Sequence, residues 1–357
     1  TGGIVSAIYI DNASGNGFSI QNNSIGGQQA LCGGNKDLMG LSTAGSAGGL
    51  FYKAIYLNVG ATSATSVQGN TIQNMAIVTG AGINTSTTDN TALVTINNGA
   101  VNFGTITGNT IGSQSQIGSI TYNDVNNAAK QSYFFGIRIA GSTGIVNIKN
   151  NTIGGIKMVD NSYITGTLNF NIINIEGTRT TDAITIEANT IGNSSVGITD
   201  GTQMSLQNML YKLGSTACSR GTKAINSGAS GSVIIKDNLI ANIYGSNVTN
   251  AGIAVLSLAG SASYTVNGNT LRDFITASQG GATDANNQKW NNSILYYNGS
   301  NTKANVLIYG NTLANLTVAN TATYNNYLDA ITLYTSATGQ GATIYNNRIY
   351  NIYPTGS

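Results

Sequence analysis

Few residues in this chain could do chemistry. Among its 357 residues there is no histidine, and the acidic side chains number 13, of which two are Glu. Without an imidazole, Ser-His and Cys-His nucleophile pairs, histidine-ligated zinc and histidine proton shuttles are excluded. The chemistry left open is that of carboxylates, of Arg and Lys, and of two cysteines.

The carboxylates are dense at one place in the sequence, at Glu176, Asp182 and Glu187. Glycoside hydrolysis needs two carboxyl groups about 5 to 10 Å apart, so these acids are the candidates for such a pair. A calcium loop is suggested by residues 11–17, which are rich in Asn and Gly. That stretch lacks a third-position ligand and a closing bidentate Glu, and we interpret it as a Gly-rich turn. We predict no metal site and no cofactor.

A repeated hexapeptide supplies the framework for these residues. The pattern aliphatic-x-x-Asn-x-Ile/Leu occurs nine times, as in IKNNTI from Ile148 and IEANTI from Ile186. Successive copies are separated by 31 to 49 residues, so each unit carries an insertion of variable length. The central asparagines are Asn23, Asn70, Asn109, Asn151, Asn189, Asn238, Asn269, Asn311 and Asn347.

A second apolar alternation precedes most copies, for example AIYI at Ala7 and GIRI at Gly136. Alternation with a period of two indicates strands. Each unit is therefore predicted to run as strand, turn, second strand, Asn-centred bend, third short strand and loop. Units without a helical crossover bury their Ile, Val and Leu by stacking in parallel, so residues 1–357 are predicted to form one all-β solenoid. At each bend an amide can bond to unpaired backbone groups and to the next amide, which predicts a buried Asn ladder.

These residues resemble the right-handed parallel β-helix of the pectate-lyase-like superfamily, whose coils carry the same I-x-N-N-x-I pattern with an Asn ladder at the second turn. The resemblance extends from Ile8 to about Ile352 and implies about nine coils with variable third-turn loops. The chain is also similar to the Asn/Gly/Thr-rich β-helical repeats of very large bacterial surface proteins. That similarity implies a secreted or cell-surface protein with a structural or adhesive role.

The same superfamily includes enzymes. Relatives that hydrolyse polygalacturonan use clustered Asp with an adjacent pair, a His and an Arg-x-Lys segment, whereas this chain has no His and no adjacent acids. Relatives that eliminate across uronic acids use Asp-bound calcium and an Arg or Lys base on the first sheet, which only Arg138, Glu176 and Arg179 begin to imitate. We expect these three to be isolated, solvated charges and predict no catalytic residue. A polysaccharide lyase or hydrolase is the alternative function.

Strand parity predicts a charge ladder on the second sheet. Lys149, Glu187 and Lys236 each directly follow an inward aliphatic residue of their hexapeptide. Parallel stacking at about 4.8 Å per rung then places the three in one outward column. This gives Glu187 a structural explanation, which we prefer to a catalytic one.

Outward tyrosines are the candidate contacts for a ligand. Tyr9 and Tyr56 are predicted neighbours on the first sheet, and Tyr309 and Tyr345 on the second. Such pairs form either a sugar platform or adhesive stripe, or a stack that stabilises the sheet. With Arg138 they make up the candidate ligand face. The first-sheet outward column is predicted to read Tyr9, Tyr56, Thr95, Arg138, Asn174, Asn226, Ala254, Leu295 and Thr332.

Charge and hydropathy limit the partners. The formal net charge is +2 and no basic residues form a run, so we expect no nucleic acid. No apolar stretch approaches the roughly 18 residues of a membrane span. Neither end of the array shows a capping helix, so we expect further repeats or a capping domain there, and a glycan or cell-surface protein on the outer faces.

Two cysteines, Cys32 and Cys218, lie in loops after the first and fifth copies of the hexapeptide. Four rungs at about 4.8 Å separate the bases of those loops. A disulfide requires Cα atoms within about 7 Å. Both cysteines are therefore expected to be free thiols.

Overall fold

The structure of the chain is a computed structural model. Its regular structure is β-strand, and the only helical element in the described residues is the short 3-10 turn Ala30–Cys32. The described residues are 3–39, 50–79, 90–116, 118–124, 132–141, 143–160, 168–177, 182–192, 206–210, 222–246, 253–276, 292–299, 305–319, 328–335 and 341–355.

Three sheets contain the strands. The first sheet consists of Gly3–Asn12, Leu50–Val59, Thr91–Asn98, Ser132–Ile139, Leu168–Ile175, Thr222–Ser227, Ala254–Asn267, Asn292–Gly299 and Leu328–Thr335. The second consists of Ser19–Gln21, Thr65–Gln68, Val101–Phe103, Val146–Lys149, Ala183–Glu187, Ser230–Lys236, Ala254–Asn267, Val306–Tyr309 and Ala342–Tyr345. The third consists of Ser24–Ile25, Asp37–Met39, Thr71–Ile72, Met75–Thr79, Thr110–Gly112, Ile120–Asp124, Thr152–Gly154, Ile156–Asp160, Thr190–Gly192, Leu206–Leu210, Leu239–Ser246, Thr270–Thr276, Thr312–Ala319 and Arg348–Thr355.

The strands of each sheet are parallel, and the sheets grow by one repeat at a time. In the first sheet, for example, Gly3–Asn12 pairs with Leu50–Val59, the equivalent strand of the next repeat. The long strand Ala254–Asn267 contributes to both the first and the second sheet. This all-β arrangement of parallel strands in stacked sheets confirms the predicted fold class at that level and is compatible with a β-helix solenoid.

The core is formed by inward residues that lie in register from one repeat to the next. In the first sheet, Ile55, Val94, Ile137, Ile173 and Ile225 lie side by side across five strands. All five are fully buried and belong to one hydrophobic cluster that includes inward residues of all three sheets. Burial of one such side chain stabilises the fold by roughly 1.5–3 kcal/mol, so the stacking of repeats is itself the source of the core.

The central asparagines of the hexapeptide form one continuous column of hydrogen-bonded side chains. Each Nδ2 donates to the Oδ1 of the next asparagine at 2.8–3.0 Å, through eight links from Asn23 to Asn347. The seven asparagines between these two are 0–1% exposed. The predicted Asn ladder is confirmed.

Asn189 shows how completely each ladder amide is used. Its Oδ1 accepts from the backbone N–H and the Nδ2 of Asn151, at 3.0 and 2.9 Å. Its Nδ2 donates to the Oδ1 of Asn238 at 3.0 Å and to the carbonyl oxygen of Ile148 at 2.8 Å. Because a buried amide must find its partners within the protein, this pattern satisfies the side chain and the backbone of the bend together.

The residue before each ladder asparagine explains why the chain bends there. In eight of the nine repeats this residue has φ between 53° and 67°. Such a left-handed conformation costs most L-residues roughly 1–2 kcal/mol, and Gly, Asn and Asp adopt it most readily. Seven of the eight residues are of these types, and Ala188 is the exception. The eight are Asn22, Gly69, Asn150, Ala188, Asp237, Gly268, Gly310 and Asn346.

A second left-handed column, which the sequence analysis missed, kinks the third sheet in the later repeats. Asn242, Asp273, Asn315 and Asn351 have φ between 55° and 62°. Asn315 Nδ2 donates to Asp273 Oδ1 at 2.6 Å, and Asn351 Nδ2 donates to Asn315 Oδ1 at 3.0 Å. Each of the four lies four residues after a ladder asparagine. This constant spacing from the ladder is the feature of the sequence from which the second column could have been predicted.

The first-sheet outward column departs from its predicted reading at two positions, since Ala254 and Leu295 are absent from it. Leu295 is 1% exposed and pairs with the inward Leu256, while Ala254 pairs with Ser293 in a neighbouring column. The reason is that each of these strands contains one extra residue, which breaks the strict alternation of inward and outward side chains. The column reads Tyr9, Tyr56, Thr95, Arg138, Asn174, Asn226, Ser257, Tyr296 and Thr332.

The extra residue lies between two paired positions of each first-sheet strand. Ser6 pairs with Lys53 and Ile8 with Ile55, so that one residue of each strand is skipped between them. In the fourth repeat the skipped residue is Gly136, where a Cβ atom would lie 2.7 Å from the carbonyl oxygen of Ile172. Two outward positions of one strand are therefore three residues apart instead of two.

We expect Asn189→Leu to lower the free energy of unfolding by about 1–3 kcal/mol, because it leaves buried donors and acceptors of the bend without partners. Asn23→Leu, at the open end of the ladder, is the matched control and should cost less. Thermal or urea unfolding measures both changes. Equal midpoints for Asn189→Leu and the unmodified chain would mean that water reaches the bend.

We expect Ala188→Asn to raise the free energy of unfolding by roughly 0.5–1 kcal/mol, because Asn tolerates the left-handed conformation better than Ala. Ala188 is exposed, so no packing changes with it. Gly310→Ala, at the equivalent position of a later repeat, should shift stability in the opposite direction. The midpoint of thermal unfolding is the measurement, and a lower midpoint for Ala188→Asn would contradict the account of the bend.

Candidate functional site on the outer faces of the sheets

The predicted charge ladder on the second sheet is confirmed. Glu187 pairs in register with Lys149 on one side and with Lys236 on the other. Its carboxylate oxygens lie 2.6 Å from Lys149 Nζ and 2.8 Å from Lys236 Nζ. Hydrogen bonds from Lys149 and Lys236 lower the pKa of Glu187, and the bond to Glu187 raises the pKa of Lys236. Each carboxylate oxygen of Glu187 is thus paired with one lysine, as the ladder requires.

Arg138 and Glu176 are not the isolated, solvated charges that the sequence analysis expects. Arg138 Nη2 lies 2.6 Å from Glu176 Oε2 and Nε lies 3.2 Å from Oε1, which makes the pair bidentate. The Arg138 residue is only 5% exposed. An arginine at this depth needs a counter-charge with fixed geometry, and Glu176 supplies it from the position directly after the neighbouring strand Leu168–Ile175. Arg179 lies outside the described residues.

The Arg138–Glu176 pair is one end of a hydrogen-bonded polar network across three strands. Asn174 Nδ2 donates to Glu176 Oε1 at 2.6 Å, and Asn226 Nδ2 donates to Asn174 Oδ1 at 2.7 Å. Lys223 Nζ then donates to Asn226 Oδ1 at 2.8 Å. Strand parity predicts Asn174 and Asn226 in the outward column but does not predict Lys223 beside them, because the extra residue of the first-sheet strands sets Lys223 three residues from Asn226.

Tyr9 and Tyr56 form a stacked pair on the first sheet. Their ring centroids are 4.6 Å apart and their planes differ by 9°. Tyr9 is 53% exposed and its hydroxyl donates to Asp11 Oδ2 at 3.4 Å, while Lys53 Nζ lies 5.2 Å from the Tyr56 centroid. Burial is the main cause that raises the pKa of both tyrosines, so both hydroxyls remain protonated donors at neutral pH.

Tyr309 and Tyr345 form the corresponding pair on the second sheet, with centroids 4.9 Å apart and planes that differ by 4°. Because the rings stack along the column, each covers one face of the other. Stacking closes the ring faces between the two members of each pair to a sugar, whereas it leaves the ring edges open to the outside. The structure brings the four tyrosines together as two separate pairs at opposite ends of the array, and it places Arg138 in neither.

The turn at residues 11–17 is held by hydrogen bonds that its asparagine side chains accept from backbone N–H groups. Asn12 Oδ1 accepts from Gly15 N at 2.8 Å, and Asn16 Oδ1 accepts from Thr62 N at 3.0 Å. The side-chain oxygens of both asparagines are thus bound to backbone N–H groups, as in a Gly-rich turn. Within the described part of the chain, no group of three or more His, Cys, Asp or Glu could hold a metal ion.

Cys32 is buried, and its Sγ lies 3.8 Å from the carbonyl oxygen of Thr71. Burial raises the pKa of this thiol, which disfavours the reactive thiolate. Cys218 lies outside the described residues, so the expectation that both cysteines are free stays a prediction for that residue.

Comparison with known proteins gives no match to any protein family, curated protein or solved structure. No helix among the described residues is long and apolar enough to cross a membrane.

We expect Glu187→Gln to lower the free energy of unfolding by at most about 1 kcal/mol, because its lysines are partly exposed. Since the pKa of Glu187 is lowered by folding, this contribution is present above the pKa of the unfolded chain and is lost as the pH falls through the lowered value. The difference between the two chains in thermal unfolding should shrink in high salt and at acid pH.

Glu176→Gln is the matched control for this measurement. It should cost about 3 kcal/mol, because it leaves a buried guanidinium without its counter-charge. High salt should change that cost little, since buried pairs are weakly screened. Equal and small effects of the two substitutions would contradict the distinction between a surface ladder and a buried pair.

Proposed function

We propose that the chain is a right-handed parallel β-helix of about nine coils, similar to the pectate-lyase-like superfamily, that serves as a non-catalytic structural or adhesive segment of a large surface protein. The observation that best supports this is the Asn ladder, which passes through every repeat from Asn23 to Asn347. A fold in which every repeat contributes the same buried, hydrogen-bonded asparagine is suited to form an extended structure of uniform cross-section.

The alternative is a polysaccharide lyase or hydrolase with its site at Arg138 and Glu176. A catalytic base must be able to reach the proton that it abstracts. Arg138 is buried and held by both oxygens of Glu176, and Glu176 also accepts from Asn174. These contacts support a structural role for the polar network and count against the enzyme.

We propose that a glycan or a cell-surface protein meets the exposed tyrosines. Tyr9 and Tyr345 are the most exposed members of the two pairs, at 53% and 45%. Their edges and hydroxyls suit hydrogen bonds to sugar hydroxyls or to a peptide backbone. Arg138 belongs to the buried polar network on the outward side of the first sheet and takes part only by supporting that sheet.

An extracellular or cell-surface location is part of this proposal. It is supported by the composition, in which charged residues are 8% of the chain and Asn, Gly, Ser and Thr are abundant. Further repeats or a capping domain are proposed to lie against the ends of the array.

We expect the purified chain not to depolymerise polygalacturonate or alginate, with or without added calcium, because Arg138 and Glu176 are engaged with each other. The release of unsaturated products is followed by ultraviolet absorbance. Products that appear with the unmodified chain and disappear with Glu176→Gln would establish the enzyme instead, provided that the variant remains folded by circular dichroism.

A glycan array tests the binding side of the proposal. Binding should weaken in Tyr9→Ser or Tyr345→Ser and persist in Leu307→Ser, which removes an exposed apolar side chain from the second sheet without touching a tyrosine pair. Glycan binding that is unchanged in both tyrosine variants would exclude the tyrosine pairs as the ligand face.

A further inference from the structure

The outward side of the second sheet is an open surface along the middle of the array. Arg138 and Asn174, on the outward side of the first sheet, are only 5% and 3% exposed. The outward residues in the middle of the second sheet are partly exposed instead, as at Asn147, Thr185 and Ile234. A sheet of parallel strands in register presents a regular surface against which another sheet can pack.

Charge on this surface is confined to its centre. The six middle strands of the second sheet are Thr65–Gln68, Val101–Phe103, Val146–Lys149, Ala183–Glu187, Ser230–Lys236 and the second half of Ala254–Asn267. Within these six strands the charged residues are Lys149, Glu187 and Lys236. They lie side by side on three successive strands. A partner of this surface must therefore match the order plus, minus, plus.

An exposed isoleucine lies on the same surface. Ile145 directly precedes the strand Val146–Lys149 and is 52% exposed. Since Val146 is buried, Ile145 points outward. Val146 is in register with Ile184, so the outward position next to Ile145 on the following strand is Ala183. A large apolar side chain thus lies beside a small one, one strand further along the array.

We propose that the second sheet packs face to face against the second sheet of a second copy of the chain. The two-fold axis would run parallel to the strands, midway between the strand of Lys149 and the strand of Glu187. Such an axis reverses the order of the repeats and keeps each position along a strand opposite the same position. Lys149 then faces Glu187 of the second copy, and Glu187 faces its Lys149. Ile145 faces the small Ala183 of the second copy.

Other placements of the axis match the surface less well. An axis through the strand of Glu187 opposes Glu187 to Glu187 and Lys149 to Lys236, and such like-charge contacts are unfavourable. An axis between the strands of Glu187 and Lys236 pairs those two charges, but it opposes Ile145 to the polar Ser263. Charge and apolar contacts are both matched only by the axis between the strands of Lys149 and Glu187.

The size of the surface suits this occupant. Three outward positions on each of the six strands give about 18 residues per side, just below the roughly 20–30 of a standard interface. Its other outward residues, such as Asn102 and Thr265, are short and uncharged, which allows two sheets to approach to about 10 Å. This dimer depends on the second-sheet residues alone and not on glycan recognition.

Sedimentation velocity over a dilution series tests the proposal. The unmodified chain should dimerise as its concentration rises and dissociate on dilution. Glu187→Lys should raise the dissociation constant roughly tenfold or more, because it opposes lysine to lysine across the interface. Thr110→Lys adds the same charge to the outward side of the third sheet and should leave the constant unchanged. A chain that stays monomeric throughout, or a Glu187→Lys variant that dimerises as well as the unmodified chain, would overturn the proposal.

Mixing two charge variants tests the register of the two sheets. Lys149→Glu and Glu187→Lys should each dimerise poorly alone, because each opposes like charges. An equimolar mixture should form a one-to-one dimer, since each variant supplies the charges that the other lacks. If either variant fails to fold, Ala183→Trp fills the space opposite Ile145 and should abolish the dimer. A mixture that stays monomeric while both variants are folded by circular dichroism would overturn the two-fold arrangement.

Discussion

The hydrogen bonds between successive ladder asparagines constrain the rest of the structure. An asparagine such as Asn189 can satisfy its own amide and the neighbouring backbone only if the asparagines before and after it lie directly in line. This requirement fixes the register of the second and third strands of each repeat. Insertions can be accommodated only away from the bend, which is consistent with a repeat length that varies while the hexapeptide does not.

The outer columns inherit their alignment from this register. Lys149, Glu187 and Lys236 lie two residues before ladder asparagines, and for that reason they meet as one column of ion pairs. The first sheet follows the same alignment and places Arg138 beside Glu176. The two groups of charges differ in burial. The partly exposed ladder of Lys149, Glu187 and Lys236 contributes little to the free energy of unfolding, whereas disruption of the buried Arg138–Glu176 pair lowers that free energy by much more.

The hexapeptide was sufficient to predict the ladder, and strand parity was sufficient to predict the Lys149–Glu187–Lys236 column. Parity failed at Ala254 and Leu295, because the first-sheet strands contain an extra residue that only the pairing reveals. Burial of Arg138 could not be predicted either, since an outward position on a strand carries no information about what covers it.

The left-handed kinks at Asn242, Asp273, Asn315 and Asn351 depend on backbone dihedral angles. Their spacing of four residues from the ladder was visible in the sequence, but Asn is so frequent in this chain that a column with three Asn did not stand out from the composition. The ladder asparagines could be recognised in the sequence because each has an Ile or Leu two positions after it.

Amide hydrogen exchange at the ladder positions tests the central claim most directly, because exchange requires the hydrogen bond to open. The backbone N–H of Asn151, which donates to Asn189 Oδ1 at 3.0 Å, should be among the slowest in the chain. The N–H of Asn347, which donates to no ladder asparagine in the described part of the chain, should exchange faster. Fast exchange at Asn151, comparable to that at Asn347, would contradict the claim that the ladder holds the repeats in register.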